Sequence, residues 1–191
     1  MKKLLAVYSG SFNPFHYGHL DILQALQETT WIDKVLVVVS PKNPAKSESV
    51  YIQSASDRLE AVKGVIEENE LTKCEASDIE FSRTPPIYTV ETLRQIQTLY
   101  PDYDIRYVCG ADCLDKIQRW RNAQELICDI GMIVFPRDGY DLGTIVNQVL
   151  SKWKNAKILV STITPREISS TEIRRRLKNK EDYFDLTPVI L

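Results

Sequence analysis

Only two histidines occur in 191 residues, His16 and His19, and the four cysteines Cys74, Cys109, Cys113 and Cys128 form no CxxC pair. Zinc needs three or four His, Cys or carboxylate ligands in reach of one another, so the thiols read as reduced and at least half-buried. A chain of this length builds its core without disulfide staples. Excess positive charge is missing as well: 24 Lys and Arg stand against 26 Asp and Glu, a net charge of −2. No broad field is left to grip a phosphate backbone, which disfavours a general nucleic-acid binder. The longest aliphatic run, Val35 to Val39, is far shorter than the roughly 20 apolar residues that cross a bilayer. Met1-Lys2-Lys3 leads into only a short apolar run, so a soluble cytoplasmic protein with no removable leader and no membrane partner is expected. No repeat or low-complexity block appears.

What is present is enough for one good-sized domain over 1–191, with 43% hydrophobic and 26% charged residues. Short runs rich in Val, Ile and Leu alternate with helical patterns, the signature of βαβ units. Strands are predicted at Leu4 to Tyr8, Lys34 to Val39, Lys73 to Phe81, Asp104 to Cys109, Gly131 to Phe135 and Lys157 to Val160. Helical periodicity is clearest at Asp57 to Ile66, where Leu59, Val62, Val65 and Ile66 share a face. Other helices are predicted at His19 to Gln27, Val90 to Leu99, Ala111 to Ile117, Asn122 to Ile127, Thr144 to Trp153 and Thr171 to Leu177. The expected fold class is α/β, a single Rossmann-like domain with a mostly parallel central sheet flanked by helices. Pro, Ser and Lys gather between Ser40 and Ser49, a loop that either walls a ligand crevice or is a solvated connector.

The first strand runs into Ser9-Gly10-Ser11-Phe12-Asn13-Pro14-Phe15-His16-Tyr17-Gly18-His19. Small residues let backbone N–H groups approach a phosphate, and a helix N-terminus favours the anion. Histidines three apart can share one side of a helix entrance and donate to phosphate oxygens. The bland alternatives are a structural histidine, a metal pair lacking a third ligand, and glycines that only turn the chain. Near the other end, Ser169-Ser170-Thr171-Glu172-Ile173-Arg174 reads as a capping box, with Ser169 as N-cap and Glu172 reaching back. Hydroxyls and free amides at a helix start, with Arg174 one turn in, also form an anion site.

The stretch from Gly10 to His19 resembles the HxGH signature of a nucleotidyltransferase superfamily, and Ile168 to Arg174 resembles its second signature, ISSTxIR. The resemblance implies ATP at Ser9, Gly10, Ser11, Phe12, His16, Gly18, His19, Gly110, Asp112, Ser169, Ser170, Thr171 and Arg174. His16, His19 and Arg174 would serve catalysis. Between the signatures, Val39 to Lys46, Pro86 to Leu93, Gly110 to Leu114 and Trp120 are similar to bacterial nicotinate-nucleotide adenylyltransferases. That likeness places the acceptor nucleotide at Asn13, Lys46, Tyr88, Thr89 and Trp120. Thr89 opens a helix whose amides can hold a carboxylate, Trp120 can stack on a pyridine ring or serve the core, and Asp112 can hold ribose hydroxyls or cap a helix. The chain departs from the family at Ala45, where His is usual, at Ile87, at Pro136-Arg137-Asp138-Gly139, and in a short C-terminus after Pro188.

The implied activity is adenylyl transfer from ATP to nicotinate mononucleotide in NAD biosynthesis. Its nucleophile is an already ionised phosphate oxygen, so no general base is required. Mg²⁺ is expected to travel with ATP, ligated mostly by phosphate and water, with no metal held by the protein itself. A preference for nicotinamide mononucleotide is the nearest alternative, and a nucleotide-sensing module without turnover is the alternative of another class. Oligomeric state, including a homo-oligomer, is left open.

Overall fold

Alternating burial explains the sheet. In β1 (Lys3–Gly10) Ala6 and Tyr8 face one apolar cluster while Leu5 and Val7 face a second. In β2 (Lys34–Val39) Val35, Val37 and Val39 face the first, Leu36 and Val38 the second. A strand covered on both faces shows a continuous apolar run instead of alternation, as these do. The computed structural model describes residues 2–41 and 52–191.

The remaining strands are β3 (Cys74–Ser77), β4 (Tyr103–Gly110), β5 (Met132–Phe135) and β6 (Ile158–Val160). They form one six-stranded sheet in the order β3-β2-β1-β4-β5-β6, and every pairing is parallel. The expected mostly parallel sheet is thus parallel throughout. Helices α1 (Tyr17–Glu28) and α2 (Ala55–Glu68) cover one face. The other carries α3 (Thr89–Leu99), a π-helical stretch over Glu125–Ile130, and α5 (Leu142–Lys152). Helix α4 (Ala111–Asp115) is short, and a 3-10 turn at Ile117–Arg119 replaces the end of the helix expected to reach Ile117. The strand expected from Lys73 to Phe81 ends at Ser77, because its neighbour β2 stops at Val39 and the chain turns inward to bury Glu80.

Helix α6 (Ser170–Asn179) buries only Ile173 and belongs to neither core cluster. Its attachment is polar and leads to the site. Chain order reverses between β1 and β4, so their carboxyl ends part and open a crevice there. Among the described residues, no helix is long and apolar enough to cross a membrane.

Candidate active site

The turn after β1 is shaped from beneath. Phe12 adopts φ 44°, a left-handed conformation, and tucks its ring under Gly10, where a Cβ would meet it at 3.0 Å. The Phe12 side chain is thereby committed to the core, and only its backbone can serve a nucleotide. His16 then occupies the N-cap of α1 and His19 its third position, the two rings stacked at 3.5 Å between centroids. The His16 backbone N–H donates to His19 Nδ1 at 3.2 Å. A neutral imidazole that accepts at Nδ1 carries its proton on Nε2, so His19 is set as an Nε2–H donor. Burial and then the charge of Arg137 push His16 down to about 3, against the pull of Asp21, which keeps this ring neutral near pH 7.

The second signature docks on the first. Ser169 caps α6 by accepting from the Glu172 N–H at 3.2 Å. The expected return bond is not made, since the Glu172 carboxylate is taken by Arg175 and Arg176 one turn on. Ser170 Oγ donates to the Pro14 carbonyl at 3.0 Å, and Arg174 donates to the Asn13 carbonyl at 2.6 Å and to Thr171 Oγ1 at 3.0 Å. Just upstream, Asp21 on α1 chelates Arg166, whose guanidinium also lies 4.6 Å over the Tyr17 ring. A Cβ at Gly18 would stand 2.7 Å from the Arg166 carbonyl, so the closeness of α1 to this loop requires glycine there.

Two cavities open at the crevice. One is lined by Ser9, Gly10, His16, Gly18, His19, Gly110 and Asp112, together with Arg137 and the loop 165–168. The other is lined by Ser9, Gly10, Ser11, Tyr88, Thr89 and Trp120, together with Glu80 and the arginines flanking the tryptophan. They share Ser9, Gly10, Tyr107 and Cys113.

These observations carry the family assignment when joined to sequence comparison. Residues 7–176 match the model of the Cytidylyltransferase-like family. A probable nicotinate-nucleotide adenylyltransferase of Cytophaga hutchinsonii is 36% identical over 177 residues, which is 93% of this chain and 87% of that relative. One of Clostridium tetani is 35% identical, with 98% and 93% of the two chains covered. The chain belongs to the nicotinate-nucleotide adenylyltransferase family. Its fold is also that of Plasmodium falciparum nicotinic acid mononucleotide adenylyltransferase complexed with NaAD, at a TM-score of 0.81, 23% identity and coverage of 97% and 91%. A putative nicotinate-nucleotide adenylyltransferase from Vibrio parahaemolyticus gives a TM-score of 0.66 at 21% identity, with 98% and 94% covered.

Within this adenylyltransferase fold the expected site residues fall into three groups. Ser9, Gly10, His16, Gly18, His19, Gly110 and Asp112 line the first cavity. Asp112 is not a cap, because Gly110 holds that position. Tyr88, Thr89 and Trp120 line the second, where Trp120 also packs against the core, its ring centroid 6.0 Å from that of Tyr107. Ser169, Ser170, Thr171 and Arg174 line neither cavity: Ser170 and Arg174 clasp the 13–14 turn, Ser169 caps α6, and Thr171 accepts from Arg174. Asn13 is fully buried and accepts from the Ile52 N–H at 3.1 Å, and Lys46 lies outside the described residues.

Several supporting residues escaped sequence reasoning. Arg58 of α2, 1% exposed, donates to the carbonyls of Ser11, Ser40 and Pro41 and so ties the turn after β1 to the end of β2. Buried Glu80 accepts from Ser40 Oγ and from Thr92 Oγ1, each at 2.6 Å, bridging β2 to α3 beneath the second cavity. Long-range pairs of this kind leave no periodic trace in a sequence.

Proposed function

We propose that this chain transfers the adenylyl group of ATP to nicotinate mononucleotide, forming nicotinate adenine dinucleotide and pyrophosphate in NAD biosynthesis. The observation that carries this is the meeting of two cavities at Ser9 and Gly10, one bearing the paired histidines and the other Thr89 and Trp120. Two nucleotides seated there would bring their phosphates together over the carboxyl end of β1. An acceptor phosphate oxygen attacks the α-phosphorus, the bond to the bridging oxygen breaks, and pyrophosphate leaves with its electron pair. The nucleophile is already ionised, so the protein's work is alignment and stabilisation of charge on the transferring phosphoryl group.

Each part has a place in that scheme. His19 donates from Nε2 to the α-phosphate, beside neutral His16. Asp112 accepts from ribose hydroxyls, and Arg137 supplies positive charge to the first cavity. Arg174 and the α6 start serve the outer phosphates from their seat on the 13–14 turn, while Thr89 and the amides of α3 take the nicotinate carboxylate, with the pyridine on Trp120 and Lys46 on the acceptor phosphate. Mg²⁺ would arrive on ATP and be held chiefly by phosphate and water. Residues 1–191 would act as one nucleotidyltransferase domain in the cytoplasm.

The test is pyrophosphate release from Mg²⁺-ATP with nicotinate mononucleotide and nicotinamide mononucleotide in parallel. Preference for the acid supports the reading. Equal rates would remove the carboxylate site near Thr89, and saturable ATP binding without release would make the protein a sensor.

A further inference from the structure

Three consecutive carbonyls of the phosphate turn are each held by a side chain from the C-terminal quarter of the chain. Asn13 is held by Arg174, Pro14 by Ser170, and Phe15 by Thr187, whose Oγ1 donates at 2.7 Å. The first two belong to a recognisable signature. Thr187 does not: it lies four residues from the C-terminus, yet is 4% exposed.

The hydroxyl of Thr187 has its direction imposed. It accepts from the Val189 N–H at 3.1 Å, so its own proton is left for the Phe15 carbonyl. The adjoining Leu186 carbonyl accepts from the Tyr17 N–H at 3.1 Å, satisfying one of the orphan donors in the first turn of α1. The tail therefore grips the residues on either side of His16.

The Phe15 carbonyl and the His16 N–H are two ends of one peptide plane. Thr187 holds the carbonyl end, and the N–H end donates to His19 Nδ1 at 3.2 Å. Rotation of that plane would withdraw the N–H from His19 and release the ring's tautomer. A hydrogen bond to the carbonyl also polarises the peptide and strengthens its N–H as a donor.

We propose that Thr187 is a positioning residue for adenylyl transfer, acting through the Phe15–His16 peptide to keep His19 in the Nε2–H tautomer. The inference rests on the adenylyltransferase reading only for its kinetic consequence. It concerns neither nucleotide pocket directly, and Thr187 lines neither cavity.

With only two histidines in the chain, the imidazole nitrogens are directly readable by ¹⁵N NMR on the full-length protein without substrate, with His16→Asn giving the assignment. The wild type should show His19 protonated at Nε2 and bare at Nδ1. Thr187→Val, which keeps shape but removes the hydroxyl, should move His19 toward a mixture of tautomers and lower kcat on the order of ten-fold, with the KM for nicotinate mononucleotide little changed. Thr187→Ser should restore both.

A wild-type His19 carrying its proton on Nδ1 would overturn the proposal without any variant, which covers the case of a Thr187→Val protein that does not fold. So would a folded Thr187→Val protein with unchanged tautomer and kcat. If wild type releases no pyrophosphate, the functional reading fails while the spectra still decide the positioning role.

Discussion

The carboxylate of Asp21 and the guanidinium of Arg166 stand 145 residues apart in sequence and 2.6 Å apart in space, and the Arg166 backbone N–H adds a bond to the same carboxylate at 2.7 Å. This pair fixes the loop 165–168 against α1 and so closes one wall of the histidine cavity. Desolvation raises the Asp21 carboxyl, but the hydrogen bonds and charge of Arg166 outweigh it and hold the group below its ordinary range. A depressed carboxylate stabilises the fold above its unfolded pKa and loses that contribution as pH falls through the folded value.

Asp21→Asn should therefore cost roughly 1 kcal/mol at neutral pH, limited by the half-exposed arginine. The difference from wild type should shrink in acid, below the ordinary carboxylate range. Urea unfolding of both proteins at a series of pH values measures it, and the KM for ATP should rise in the variant.

His16 adds a second pH effect of the same sign at higher pH. Its buried ring is held down to about 3 from an ordinary 6.5, so between those values the unfolded chain binds a proton that the folded one refuses. Stability should fall as pH drops below about 6.5, with a slope of up to one proton from this residue. His16→Asn should flatten that part of the unfolding profile, and the wild-type rate should show no limb from His16 protonation near neutrality.

Gly18→Ala adds one methyl where the Arg166 carbonyl stands 2.7 Å away and His16 Nδ1 3.2 Å. Backbone must move to admit it, separating α1 from the 165–168 loop. The variant should stay folded by circular dichroism while kcat/KM for ATP drops about ten-fold or more.

Trp120 lines the second cavity and packs against Tyr107, ring centroids 6.0 Å apart at 62°. Trp120→Ala should raise the KM for nicotinate mononucleotide about ten-fold and leave that for ATP nearly unchanged. Equal rises for both substrates would show a packing role alone; steady-state kinetics with each substrate varied separates them.

Much of this was legible in the sequence, for a reason visible in particular residues. Lys34–Val39 was read as a strand with both boundaries correct, because a strand buried on both faces spells an unbroken apolar run. The Ser169 cap was equally plain. Glu172 misled, because two nearby arginines outcompeted the cap backbone for its carboxylate. The second signature, expected to hold ATP, was legible as a motif but not as a location: Ser170 and Arg174 turn toward the 13–14 carbonyls.

Local pattern thus determined the elements, the turn with its paired histidines and the family likeness, since propensity, capping and motif spacing act within a few residues. Tertiary structure alone decided what those elements mean to one another. Strand order brought the ends of β1 and β4 to a crevice, and chain reversal brought Arg58 and Thr187 to the same turn and Arg166 to α1 beside it. Such contacts depend on distance in space, and a backbone carbonyl that attracts a distant hydroxyl or guanidinium carries no side-chain letter to announce it.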